Sequence, residues 1–570
     1  MCLARRTAQA DVVTGGLPTA ENRGHLPARI VAQAINEQAS GAGRGKRLAL
    51  AAVIVATATG GSRIAGVARQ MLTASVYGVG VQFNTFTSVS AIPNLISQLV
   101  ADAAVSAAFV PVFTSLLTKG ERERAYRLAS ALLSFMLVVV GAVTVLLIFG
   151  APLVVRLFYP EFTHSAYVDT LAVNLLRILI PTVLIFSVSG VVIGVLYSFE
   201  RFTMPAVVSI VWNLVIITFI ALFSGQHSLG IYALALGTLA GTAAELVMLI
   251  VALRSVDFHW RLVFQWRDPL LRHVLVLMLP VTITLGILNF NAVVDFFFAQ
   301  FVSDHAAAEI NYAFRLYQLP QGMFAIAIGT VLFPTMSRFA AANDIERFRE
   351  TLSVGVRQIL FVSLPFIAWF MAIPEAAVRV IYQHGAFVSG DTARVSGVLV
   401  FFTLGMAFSN ANIMFNRGFQ SLQRPWLPLY VGLINLGLNA LLDWALYPSL
   451  GARGIVLSTS LVSAFNFVAL LLLMRRQIRR VDGRRIVVAS AKIGLAGAVL
   501  AGSSFAVWHA LHGFAQTGLG PLLVAVVAAY GVGAAAYLAT AKLIGVEELS
   551  VVRLLVRRRA VAPVTGPDDA

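Results

Sequence analysis

Apolar runs of about twenty residues or more, separated by short gaps, fill most of this sequence. A helix crosses the bilayer core with about 20 consecutive apolar residues, so runs of this length predict transmembrane helices. The composition agrees, because 58% of the 570 residues are hydrophobic and only 12% are charged. A soluble domain carries about 25% charged residues. The chain is therefore predicted to be an all-α polytopic membrane protein.

The hydrophobic pattern predicts about 14 transmembrane helices. The predicted spans are 47–76, 83–117, 124–156, 166–199, 203–224, 228–254, 269–302, 307–338, 347–382, 390–418, 425–448, 452–475, 486–512 and 518–545. Several exceed the length that a bilayer needs, so tilts or bends are expected. Prolines inside the spans mark the expected bends, and these are Pro93, Pro111, Pro181, Pro280, Pro320, Pro334, Pro365 and Pro374.

Positive charge alternates between the gaps. The even-numbered gaps contain lysines and arginines, such as Lys119, Arg201 and Arg338, and the odd-numbered gaps contain none. The positive-inside rule then predicts an even number of spans with both termini cytoplasmic, in the inner (cytoplasmic) membrane. The same rule accounts for the net charge of +16, so this charge does not indicate nucleic-acid binding.

The short gaps leave no room for a water-exposed catalytic domain. The longest inner gap is about 15 residues, at 254–268, within the usual range of loop lengths. The single cysteine, Cys2, excludes an intramolecular disulfide and a cysteine metal site, and the nine histidines show no ligand spacing. A transporter, channel or receptor is therefore favoured over an enzyme. Residues 1–45 are predicted to be a disordered, basic cytoplasmic tail without a cleaved signal, and 548–570 a second cytoplasmic tail.

Unpaired arginines lie inside the first and eighth predicted spans. The stretch GGSRIAGVARQ carries Arg63 and Arg69, and NYAFRLYQLPQG carries Arg315 with Gln318 on the same face. Charge at membrane depth is costly and usually faces a cavity. Arginine suits phosphate geometry, so these residues predict a cationic cavity for an anionic cargo, between two repeats of helices. The alternative for Arg69 is that its side chain extends to the outer surface.

Oxygen-bearing side chains in the seventh and eleventh spans suggest a second site. Asp295 lies in LNFNAVVDFFFAQF, and Asn435 and Asn439 lie one turn apart in GLINLGLNALLDW. Together they can supply oxygen ligands for a small hard cation. The alternatives are an acid near the outer helix end for Asp295, and helix-to-helix hydrogen bonds for the two asparagines.

Three stretches resemble the MurJ (MviN) family of lipid II flippases, in the multidrug/oligosaccharidyl-lipid/polysaccharide exporter superfamily. They are SRIAGVARQ, NTFTSVSAIPNLISQLVADAAVSAAFVPVF and NYAFRLYQLPQGMFAIAIGTVLFPTMS. The resemblance runs from about 47 to 545 and implies two pseudo-symmetric lobes around a central cavity, plus a two-helix groove for the lipid tail. It places the first lobe at 46–256, the second at 257–480 and the groove helices at 481–547.

The resemblance also implies roles for individual residues. Arg63, Arg69 and Arg315 match the cargo-binding arginines of the family. Asp295 and Asn435 match positions of a sodium site in some members, where an aspartate would replace Asn439. The chain departs from the family pattern at positions expected to line the cavity, namely Asn84 for an aspartate, Ser97 and Gln98 for two arginines, Asp102 for a glutamate, and Gln70 and Gln318 for acids.

The function that the resemblance implies is transport of lipid II, the undecaprenyl-pyrophosphate peptidoglycan precursor, from the inner to the outer leaflet by alternating access. Such a transporter serves peptidoglycan synthesis, cell-wall biogenesis and cell shape, and the cell-wall synthesis machinery is a conceivable partner. The alternatives are a flippase for another polyprenyl-pyrophosphate glycan, a drug exporter, or an integral-membrane glycosyltransferase. The outer gaps are too short to build a glycosyltransferase pocket. No cofactor is expected, and the driving force is sodium or the membrane potential.

Overall fold

The computed structural model describes residues 44–100, 102–225 and 229–549. Within these ranges the chain is helical and contains no strand. The tails predicted at 1–45 and 548–570 fall almost wholly outside the described residues. The all-α fold predicted from the apolar runs is confirmed, as expected for backbone that must satisfy its own hydrogen bonds in lipid.

The first half of the chain forms eight α-helices. They are α1 (Arg44–Tyr77), α2 (Val81–Val100), α3 (Asp102–Thr118), α4 (Arg122–Phe158), α5 (Ala166–Leu179), α6 (Pro181–Ser198), α7 (Thr203–Phe223) and α8 (Tyr232–Leu253). Short 3₁₀ turns follow α4 and α8, at Pro160–His164 and Arg254–Val256.

The second half forms ten α-helices. They are α9 (Pro269–Ala299), α10 (Ala306–Pro320), α11 (Ile326–Ala341), α12 (Ile345–Ala372), α13 (Pro374–Tyr382), α14 (Ser389–Ser421), α15 (Trp426–Leu450), α16 (Ala452–Ile478), α17 (Gly483–Ala515) and α18 (Leu519–Leu543). A π-helical turn, Gln321–Ala325, joins α10 to α11.

Each predicted span coincides with one helix or with two consecutive helices. Among the described residues, 11 helical spans are long and apolar enough to cross a membrane, and the total of 14 stays a prediction. The predicted bends differ in form. Pro181 and Pro374 begin new helices, where a missing N–H costs nothing. Pro320 precedes the π turn, whereas Pro93 and Pro365 lie within single helices.

Separate apolar cores hold the helices together. One core joins α3, α4, α6 and α8 with the start of α9, and another joins α11, α12, α14 and α16. A larger core joins helices from both halves. The last two helices pack on α12 and α13 through two small cores. This arrangement leaves the inner parts of α1 and α10 facing each other across a cavity.

Candidate functional site

A cavity of about 320 Å³ lies between α1 and the α10–π-turn–α11 segment. It brings together four of the residues predicted to bind cargo, although they come from opposite halves of the chain. Its lining includes Arg63, Arg69, Gln70, Arg315, Gln318, Gln321, Gly322 and Tyr382. The lining thus combines three guanidinium groups with amide side chains and apolar surface. It includes no carboxylate among the described residues.

Arg69 is held by an aromatic side chain. Its guanidinium carbon lies 4.7 Å from the ring centroid of Trp212 on α7, within the range of a cation–π interaction. The indole N–H of Trp212 donates to the hydroxyl of Thr242 at 3.2 Å, which fixes the orientation of the ring. Arg69 lies 8 residues before the end of α1, about 12 Å along the helix. It therefore packs inside the protein and does not reach for the outer surface.

The guanidinium of Arg69 has unused hydrogen-bonding capacity. Its Nε is buried and has no hydrogen-bond partner among the described residues. Arg315 is close enough for its positive charge to repel that of Arg69. A buried donor without an acceptor costs about 1–3 kcal/mol. An anion that entered the cavity would satisfy the donor and relieve the repulsion.

Arg63 reaches across the cavity to the other half of the chain. Its Nη2 donates to the carbonyl oxygen of Gly322 at 2.9 Å. Gly322 lies in the π turn, and π turns often expose backbone groups at functional sites. A Cβ atom on residue 322 would stand 2.5 Å from Nη1 of Arg63. A side chain at position 322 would therefore displace the guanidinium of Arg63 from its present position.

Four other residues predicted to bind cargo are not among the residues that line this cavity. Asn84 is buried and accepts a hydrogen bond from the backbone N–H of Ala308 at 3.1 Å, so it joins α2 to α10. Ser97 is buried with its hydroxyl unpartnered among the described residues, and Gln98 is exposed. The side chain of Asp102 lies outside the part that the structure describes. Through Asn84, helix α2 thus makes a contact between helices, whereas the resemblance implied that its polar residues line the cavity.

The two halves of the chain meet at the end that the arginine-free gaps mark as outer. The turn between α1 and α2 contacts α10 and the loop between α13 and α14. Four hydrogen bonds cross this contact, namely Ala386 N to Ser75 O at 2.7 Å, Tyr312 Oη to Gly78 O at 3.1 Å, His305 Nδ1 to Val79 O at 2.7 Å, and Ala308 N to Asn84 Oδ1 at 3.1 Å. This outer contact closes the cavity on that side.

Asp295 belongs to a buried polar cluster between α9, α15 and α16. The amide nitrogen of Asn439 donates to Asp295 at 2.7 Å and to Asp443 at 3.1 Å. Ser458 on α16 donates to the other oxygen of Asp443. Asp443 is fully buried. Two carboxylates this close in low dielectric require a neutralising cation or a proton, and their oxygens are suitable ligands for a hard cation.

Of the three residues predicted to hold a cation, two lie together in this cluster and one does not. The structure brings Asp295 and Asn439 together, but Asn435 lies one turn away and donates to Asn466 on α16 at 3.0 Å. The acid that the resemblance suggested at position 439 is present four residues later, as Asp443. The spacing could have revealed it, because positions 435, 439 and 443 lie on one face of a helix.

Comparisons with known proteins agree with this architecture. The family model for "Lipid II flippase MurJ" matches residues 73–528. A probable lipid II flippase MurJ from Rhizobium tropici is 28% identical over 525 residues, covering 90% of this chain and 97% of that protein. The corresponding protein of Vibrio cholerae serotype O1 is 25% identical over 512 residues, covering 88% and 97%.

Solved structures share the fold. A lipid II flippase MurJ in an inward closed conformation superposes with a TM-score of 0.73 at 24% identity, covering 89% of this chain and all of that chain. An inward-facing multidrug resistance transporter of the MATE family, from the MOP superfamily, gives a TM-score of 0.64 at 13% identity. It covers 73% of this chain and 94% of that one. At these identities the likeness concerns the fold alone.

Proposed function

The chain belongs to the MurJ family of lipid II flippases, and from that premise we propose how it moves lipid II across the cytoplasmic membrane. It is a multi-pass membrane transporter and not an enzyme. The cargo head group enters the cavity between α1 and α10 from the inner side, and rocking of the two halves then opens the outer contact. The proposed orientation has both termini in the cytoplasm, as the arginine-rich gaps predict.

The observation that carries this proposal is a cavity with three arginines and no carboxylate among its described lining residues. A pyrophosphate carries a negative charge on each phosphate, and guanidinium groups bind phosphate oxygens in a bidentate manner. Arg69 and Arg315 come from opposite halves, so one pyrophosphate bound between them would draw the halves together. Binding energy would then act directly on the conformational change.

Arg63 is proposed to exchange partners when cargo binds. Without cargo its guanidinium donates to the Gly322 carbonyl. A phosphate oxygen is the stronger acceptor, because it carries a negative charge that the carbonyl oxygen lacks and a guanidinium can bind a phosphate in a bidentate manner. Moving from Gly322 to cargo would release the link between α1 and the π turn. Gln318, on the same wall, can bind uncharged parts of the head group.

We propose sodium as a coupling ion that binds between Asp295, Asn439 and Asp443. The two carboxylates and the amide oxygen fit a hard cation, and Thr459 hydrogen-bonds to Asp295 at the same place. The three helices involved all belong to the second half of the chain. Bound sodium would therefore stabilise the packing of the second half before that half moves against the first. An inside-negative membrane potential would add outward drive on an anionic cargo, about 2.3 kcal/mol per charge per 100 mV.

A second candidate cargo is another polyprenyl-pyrophosphate glycan. The feature that favours it is Ser97 and Gln98, where the family pattern has arginines. The structure places neither residue in the cavity lining. The pyrophosphate chemistry is the same for both cargoes, so only the glycan distinguishes them.

Complementation tests the proposal in cells. Bacteria depleted of their own lipid II flippase should grow when they express this chain, and growth should fail with Arg69→Ala. Arg156→Ala is the matched control, because Arg156 is an exposed arginine at the end of α4 and lies outside the cavity. If the wild-type chain is inserted in the membrane but does not restore growth, lipid II is not its cargo.

A further inference from the structure

The segment 257–268, which links the two halves of the chain, carries exposed apolar side chains in strict alternation. We call this segment the linker strap. The exposed fractions are 48% for Trp260, 53% for Leu262, 62% for Phe264 and 49% for Trp266. The strap has no regular helix. Residues 258–265 form no regular secondary structure and a turn follows at 266–267, and the four side chains form an exposed apolar patch along the segment.

The strap is fixed along α4. The backbone N–H of Arg261 donates to the hydroxyl of Ser130 at 3.4 Å, and that of Val263 donates to Ser134 at 3.0 Å. Trp266 then packs edge-on against Phe135, with ring centroids 6.0 Å apart. The strap therefore follows a defined path along α4.

The contacted part of α4 lies at the inner edge of its lipid-facing surface. Leu137, Val145, Phe149 and Leu153 are exposed apolar residues that follow one another along one side of the helix. Ser134 lies on the same side, one turn before Leu137. Leu157 lies 20 residues after Leu137 in α4, which at 1.5 Å per residue is about 30 Å, the thickness of the hydrocarbon core.

Physical chemistry then restricts the environment of the strap. Irregular backbone exposed to lipid does not enter hydrocarbon, because its polar groups would lack partners there. An exposed patch of two tryptophans, a phenylalanine and a leucine, in turn, marks a surface that contacts another molecule or a membrane. The head-group layer satisfies both requirements, and tryptophan is enriched there.

The charges of the strap favour anionic lipids. Its two acids lie at the ends of the strap, where Asp257 is 3.9 Å from Arg122 and Asp268 caps α9 by accepting from the N–H of Leu270. Arg261 and Arg267 are exposed and form no ion pair among the described residues. Arg267 also borders a shallow depression of about 550 Å³ with Phe264 and Trp266. Arginines close to the membrane are attracted to the negative surface of anionic lipids.

We propose that the linker strap lies in the head-group layer of the inner leaflet and binds anionic phospholipid head groups through Arg261 and Arg267. The strap would anchor the only segment that joins the two halves covalently. This inference concerns a surface outside the cavity and does not depend on the identity of the cargo.

Fluorescence quenching by brominated lipids tests the proposal on the full-length protein. The protein is reconstituted in nanodiscs that contain phosphatidylglycerol or phosphatidylcholine, with bromine near the head group or deep in the chain. The strap signal is the difference between wild type and the Trp260→Phe, Trp266→Phe double variant. We expect shallow bromine to quench it more than deep bromine, and brominated phosphatidylglycerol to quench it at least twofold more than brominated phosphatidylcholine.

Two further variants separate the contribution of the arginines from that of the tryptophans. Arg261→Gln with Arg267→Gln should retain the quenching but lose the preference for phosphatidylglycerol. Trp444→Phe is the matched control, because Trp444 is an exposed tryptophan on α15 away from the strap. The difference in signal between the wild type and this variant should show no lipid preference. The proposal is overturned if the strap signal is not quenched, or if its quenching is the same for both head groups.

Discussion

Closure at the outer contact depends on a glycine that no other residue replaces without cost. Gly385, in the loop between α13 and α14, has φ of +58°, and a Cβ atom there would overlap the carbonyl oxygen of Ser75 on α1. That carbonyl accepts the hydrogen bond from Ala386 N at 2.7 Å. Gly385→Ala therefore forces the loop away from α1 and breaks this bond. The left-handed strain, about 1–2 kcal/mol, adds a general loss of stability.

The size of the effect follows from the bond that is lost. A backbone hydrogen bond contributes about 1 kcal/mol net, so the ratio of outer-closed to outer-open molecules should fall about fivefold or more. The overlap with Ser75 exists only in the closed form, so the change favours opening specifically. A variant with a normal outer contact would show no such shift.

Distance measurements between spin labels provide the assay. Cys2 is the only cysteine, so Cys2→Ser gives a clean background for labels at Tyr167→Cys on α5 and Ser389→Cys on α14. Gly385→Ala should increase the population with the longer distance, in proteoliposomes without cargo. Gly390→Ala is the control, because a Cβ at position 390 meets no atom within 4 Å. Equal distance distributions for the two alanine variants would refute the reasoning.

Two further predictions concern buried charge. Sodium, compared with potassium, should raise the thermal unfolding midpoint, because a ligand that binds the native state stabilises it. Asp443→Asn should abolish this response to sodium, and Asn435→Ala should retain it. The opposite pattern would contradict the proposed sodium site. Arg357→Met should lower the midpoint at pH 7, since it removes the buried guanidinium that lies 2.5 Å from the buried Glu548 carboxylate and breaking such a pair costs about 3–5 kcal/mol. Burial raises the pKa of the Glu548 carboxyl, so the variant is most stable below the pKa of Glu548 in the unfolded chain and loses stability as pH rises through its pKa in the folded chain. The decrease in the unfolding midpoint should therefore be smaller at pH 5 than at pH 7. A decrease that is independent of pH would contradict this explanation.

Much of the fold follows from local physics of the sequence. Length and apolarity predict helices that the structure confirms, because a membrane helix satisfies its backbone within a single run of residues. Arg63, Arg69 and Arg315 could be singled out for the same reason, since a charge inside an apolar run is visible without tertiary information. The cost of unpaired charge at membrane depth also predicted that they face a cavity, although 246 residues separate positions 69 and 315.

Other features depend on tertiary contacts that a pattern does not contain. Asp443 was missed because it lies near a span end, where an acid is unremarkable, and only packing of α15 against α9 brings it to Asp295. Ser97 and Gln98 were expected in the cavity because the resemblance implied it, and they are not among the residues that line the cavity between α1 and α10, since side-chain direction depends on the rotation of α2. The π turn at Gly322 and its bond to Arg63 arise from the meeting of two distant segments.

Binding of purified protein to lipid II tests the central claim, that the arginines of the cavity hold a pyrophosphate head group. Hydrogen bonds to charged groups contribute about 1.5–3 kcal/mol each, so Arg69→Ala and Arg315→Ala should each weaken the affinity about 10- to 100-fold. Arg156→Ala should bind as tightly as the wild type. Equal affinities for all four proteins, or no binding by the wild type, would contradict the account.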